Sequence, residues 1–94
     1  MQANKTDVVS DDETVVIIAG NRRRKGLLIF NDSSAVLSMD FKASGAVVAG
    51  EGSVELAAGE KWTLAIFENG QVYNGAIRGI WAAANGHARV TEFV

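Results

Sequence analysis

The segment that decides the fold is Val72-Tyr-Asn-Gly-Ala-Ile-Arg-Gly-Ile-Trp-Ala-Ala-Ala-Asn-Gly-His-Ala-Arg-Val-Thr-Glu-Phe-Val94. Two runs rich in β-branched and aromatic residues, 76–83 and 87–93, flank Asn85-Gly86, the dipeptide most tolerant of the left-handed backbone that a tight turn needs. The spacing predicts a β-hairpin. Its period of two places Ile77, Gly79 and Trp81 on one face, with Gly79 leaving a slot, and Ala88 and Val90 on the same side of the returning strand.

Outward from this segment the chain reads as further short strands. Thr14–Ala19 is apolar on both faces, as in a central strand or an edge covered by another subunit. Leu27–Asn31 reads as a buried strand closed by a turn at Asn31–Ser34. Between Val36 and Lys42, Leu37, Met39 and Phe41 alternate with Ser38, Asp40 and Lys42, predicting a strand with one core face and one wet face. The glycine-rich stretch Ala43–Ser53 reads as a loop with a short edge strand. Ser53–Leu56 and Lys61–Phe67 read as strands, the latter with Trp62, Leu64 and Ile66 on one face. A turn is expected at Glu68–Gln71 and a bend at Asn74-Gly75.

No long window carries a helical apolar period, and ten glycines with several Asn and Asp sites punctuate the chain about every eight to twelve residues. The expected fold is therefore all-β, a small sandwich of about seven or eight strands with Greek-key or jelly-roll-like connections. Residues 14–94 form its single domain. Residues 1–13, polar and acidic with only Val8 and Val9 as branched apolar side chains, are expected to be a flexible arm.

The bulk composition narrows the function classes. Ninety-four residues suffice for one modest core. Without cysteine there is neither a disulfide framework nor a thiolate metal site, and a lone histidine makes no histidine cluster. The net charge of −2 disfavours a general nucleic-acid binder. No apolar run reaches the roughly 20 residues of a membrane helix, and the N-terminus does not read as a signal peptide. No cofactor or metal site is expected.

Three features invite functional readings. Arg22, Arg23 and Arg24 form a basic loop, read as a solvated turn, as an electrostatic contact with an acidic partner, or as a phosphate or nucleic-acid site. Asp11, Asp12 and Glu13 read as a solvated acidic segment more readily than as a cation site, because they lack the oxygen spacing and glycine of a calcium loop. Trp62 and Trp81 would stack on sugars if exposed, but their apolar or glycine neighbours two residues away place them in the core. His87 has no Gly-x-Ser-x-Gly elbow to serve, so an exposed strand position is expected and the chain does not read as an enzyme.

The segments Asn21–Ser33, Val36–Phe41, Leu56–Glu60 and Val72–Glu92, in this order, resemble the small β-sandwich virion proteins of tailed bacteriophages, which occur as head-decoration (cement) proteins and as head-fibre modules. The resemblance spans residues 19–93. It implies a non-enzymatic structural protein on the outer surface of the virion, made in the host cytoplasm and bound to the major capsid protein. The polar arm, the two-sided strand at 14–19 and the small core favour a homo-oligomer, for which the resemblance suggests a trimer, and their charge marks Arg22–Arg24 and Asp11–Glu13 as its expected contact residues. A host-glycan-binding fibre module is the alternative implication.

Overall fold

A computed structural model describes residues 1–64 and 72–94. Among the described residues eight strands form: β1 (Ala3–Ser10), β2 (Val15–Ile18), β3 (Gly26–Asn31), β4 (Leu37–Asp40), β5 (Val54–Leu56), β6 (Lys61–Leu64), β7 (Ile77–Trp81) and β8 (Gly86–Phe93). The expected strand positions Ile66 and Phe67 and the turn Glu68–Gln71 lie outside the described residues.

The strands make two antiparallel sheets, β1-β8-β3-β6 and β2-β7-β4-β5. The pairs β1 with β8, β2 with β7, β3 with β6 and β4 with β5 are nested, as in one long hairpin rolled up on itself. This is the jelly-roll form of the sandwich. Between the sheets lie Ile17, Leu27, Ile29, Leu37, Met39, Leu56, Leu64, Ile77, Trp81, Ala88 and Val90. Each comes from the apolar set of its strand, as the period of two requires.

Rolling up corrects the terminal hairpin. β7 pairs with β2 and β4, whereas β8 pairs with β1 and β3, so the two strands belong to opposite sheets. Asn85 does adopt the left-handed backbone, with φ of 64°. Gly86, however, serves Trp81 and not a two-residue turn: a Cβ there would overlap the indole ring. The residues between β7 and β8 thus form an arch, and the apolar faces meant for one hairpin meet across the core. Gly79 does leave a slot, filled from the flanking strands by Ile17 and Leu37, each 3.0 Å from where its Cβ would stand.

The N-terminal expectation is also corrected. Residues 3–10 of the expected arm are strand β1, in register with β8 from Ala3↔Phe93 to Ser10↔Gly86. Apolar burial contributes little there, since only Val8 reaches the core cluster. The ladder to β8 satisfies every second residue's backbone groups in a segment too polar to fold by its side chains.

The outer face of the second sheet is roofed. Ser38, expected in water, is buried, and its Oγ accepts the Gly50 N–H at 2.9 Å. Thr14 Oγ1 accepts the Val47 N–H at 3.1 Å, and Val47 is buried. The loop after β4 therefore folds back across its own sheet. Phe41, expected in the core, is exposed at the end of β4.

Candidate functional site

Of the three arginines, the structure separates one from two. Arg24 is buried: its Nε donates to Glu92 Oε2 at 2.8 Å, Nη1 to the carbonyls of Tyr73 (3.1 Å) and Gly75 (2.9 Å), and Nη2 to that of Ala19 (2.6 Å). Four of its five N–H groups are thereby spent on the protein itself. Arg24 is a structural residue, which corrects its assignment as a contact residue. Neighbouring bonds brace the same turn. Asn21 Nδ2 donates to Glu92 Oε1 at 3.1 Å, Asn21 Oδ1 accepts the Arg23 N–H at 3.0 Å, and the Asn21 N–H donates to the Asn74 carbonyl at 2.7 Å. Arg22 and Arg23 stand exposed on this braced turn.

Asp11, Asp12 and Glu13 are exposed in the β1–β2 connection. Ser10 Oγ accepts the Glu13 N–H at 3.3 Å and donates to its carbonyl at 2.8 Å, closing a local turn in which Asp12 has φ of 51°. Asp11 Oδ1 accepts the Asn85 N–H at 3.3 Å. This places the acids at the Gly86 end of β8, whereas Lys25 bonds the Phe93 carbonyl at the other end. An eight-residue strand spans about 23 Å between its end residues. The acidic and basic groups thus form two sites.

Sequence reading missed a third site, on the outer face of the first sheet. Lys5, Lys61 and Arg89 stand around Leu28, Phe30 and Thr91, lining a shallow hollow of about 300 Å³. The Arg89 guanidinium lies 5.1 Å from the Phe30 ring centroid, and its Nη2 bonds Asp32 Oδ2 at 2.9 Å. His87 lies alongside, 3.4 Å from Asp32 and 3.3 Å from Asp7. The available signal was the alternation His87, Arg89, Thr91 opposite Ala88 and Val90 on β8.

The tryptophans also differ. Trp81 has no exposed surface, and its Nε1–H donates to Asn31 Oδ1 at 3.0 Å. Trp62 is half-buried at the edge of the sandwich, where Phe41 lies 5.8 Å from it and 5.0 Å from Tyr73 between ring centroids. Among the described residues no group of three His, Cys, Asp or Glu side chains is placed to hold a metal ion. No protein-family model, curated protein or solved structure matches the chain.

Proposed function

We propose that this is a structural virion protein that decorates the outside of a tailed-phage head by binding its major capsid protein. The observation that carries this reading is the turn bearing Arg22 and Arg23. Arg24, Asn21 and Glu92 brace it from below, so two guanidinium groups are presented on a backbone already ordered before any partner arrives. Preorganisation lowers the entropy cost of contact, and exposed guanidinium groups suit acidic protein surfaces. The sequence resemblance supports the reading, as does a jelly roll, though only by analogy of fold.

The test is co-sedimentation with shells assembled from the major capsid protein of the phage that encodes the chain. The parent protein should pellet with shells. Replacing Arg22 and Arg23 together by Ala should weaken binding, and salt should do likewise as the Debye length falls from about 10 Å to about 3 Å. Unfolding of the free double variant should stay within about 0.5 kcal/mol of the parent, because both side chains are exposed. Failure of the parent to bind shells at low salt would end this reading.

One observation favours the alternative, a host-glycan-binding module: Phe41, Trp62 and Tyr73 form an accessible aromatic group of the kind that stacks on sugar rings. Since Trp81 is sealed in the core, glycan binding should perturb the fluorescence of Trp62 and be lost in Phe41→Ala.

A further inference from the structure

We propose that two copies of this chain associate through their β1 strands, antiparallel and in one register, joining two four-stranded sheets into one of eight. This does not depend on the virion reading above.

Gln2 and Val94 exchange both backbone bonds, Gln2 N–H to Val94 carbonyl at 2.8 Å and the reverse at 2.9 Å. In an antiparallel pair such bonding residues alternate, so the even positions of β1 point their N–H and C=O groups at β8. Ala3, Lys5, Asp7 and Val9 point theirs away, along the open edge of the sheet. The edge is eight residues long and, among the described residues, uncovered. Such an edge is a template for another strand unless something blocks it.

Charged residues commonly block edges, but here the charges select a partner. A second β1 bonding through the same odd positions pairs seven residues of each strand when centred on Thr6 or Asp7, and fewer when centred on Lys5 or any other residue. Centring on Lys5 opposes two lysines, and centring on Asp7 opposes two aspartates. Centring on Thr6 opposes Lys5 with Asp7 of the second copy, twice, and Ala3 with Val9, twice, while Thr6 faces Thr6 as a non-hydrogen-bonded pair on the two-fold axis. Opposite charges directly across a ladder are favourable and like charges are not. Val9, 70% exposed in the single chain, gains an apolar neighbour in this register. The contact is isologous, so it closes at two copies.

The chain has no cysteine, which makes the register directly testable. In a non-hydrogen-bonded pair the Cα atoms stand about 4.5 Å apart, within disulfide reach. Thr6→Cys should therefore form a covalent dimer rapidly with oxidised glutathione. Lys5→Cys and Asp7→Cys should do so far more slowly, because their like positions are offset by two residues, about 7 Å along the strand. Light scattering of the untouched protein should give the mass of two 10.0 kDa chains at high concentration. Lys5→Glu should shift it to one chain, and Lys5→Glu combined with Asp7→Lys should restore two. These side chains are exposed, so circular dichroism should show each variant folded like the parent. A single-chain mass at the highest soluble concentration would overturn the proposal, as would the mass of three chains. So would cross-linking of Thr6→Cys no faster than the other two.

Discussion

The two ends of β3 are closed by buried polar side chains of opposite character. At its C-terminal end Asn31 is neutral and fully satisfied. Its Nδ2 donates to the carbonyls of Ala35 (2.8 Å) and Leu56 (2.9 Å), and its Oδ1 accepts from Trp81 Nε1 (3.0 Å) and Ser33 Oγ (2.7 Å). At the other end Arg24 is charged, with Glu92 as counter-ion and three loop carbonyls as acceptors. Asn31 lies in one sheet and bonds Leu56 and Trp81 of the other, so it fastens the sheets to each other through the core. Arg24 sits at the rim and fastens connections. The neutral junction involves no charge desolvation and gains from aromatic burial. The ionic junction keeps its value only while both charges are present, because a lone charge left in that site is uncompensated.

Trp81→Ala tests the neutral junction and carries the largest expected effect. It should cost about 3–5 kcal/mol for the lost burial, with about 1–3 more for the unmatched Asn31 oxygen. Set against a stability of roughly 5 to 10 kcal/mol, that leaves the protein largely unfolded on modest warming or in dilute urea. Urea titration followed by circular dichroism measures it, and a loss under 1 kcal/mol would remove the distinction between the two ends.

For the ionic junction, Arg24→Ala should cost about 3–5 kcal/mol, less than the core deletion but large for a rim position. Replacing both partners, Arg24→Met with Glu92→Leu, should cost less than Arg24→Ala alone. Equal losses in the single and double variants would mean that the carbonyl bonds, and not the ion pair, hold this end.

The smallest effect concerns the roof over the second sheet. Asp40 Oδ1 accepts the Ser53 N–H at 2.8 Å and the Ser53 hydroxyl at 3.1 Å, with Lys42 at 3.7 Å from its other oxygen. The backbone N–H of Ser53 is the main cause that holds the Asp40 carboxyl below its ordinary value of 3.8. A lowered folded-state pKa means that the contribution to stability is complete above the unfolded value and is lost as pH falls through the folded one. Protection of the Ser53 amide against hydrogen exchange, corrected for intrinsic rate, should decline as pH falls below the ordinary carboxyl value of 3.8, and Asp40→Asn should flatten that decline. The Asn31 junction has no titrating group and should not follow this curve.

Much of this architecture was legible in the chain. Leu37 and Met39 alternate into the core as their spacing requires, and Ile77, Gly79 and Trp81 share one buried face. Asn85 takes the left-handed turn conformation expected of it. All of these depend on neighbours within a few residues, where side-chain period and turn preference act. The candidate contact residues fared unevenly, since Arg22 and Arg23 are exposed as a loop predicts while Arg24 is not.

What the sequence by itself determined, then, is the all-β class, the location of most strands and the apolar face of each. The tertiary structure decided which strands pair. Apolar faces from 77–81 and 86–93 are buried equally well beside each other or across a core, and only the remaining strands choose between the two. A polar segment such as 3–10 becomes a strand because β8 offers it a ladder. Arg24 turns inward because Glu92, 68 residues along the chain, lies beneath it. Pairing and charge compensation are properties of partners distant in sequence, and no local pattern of residues specifies them.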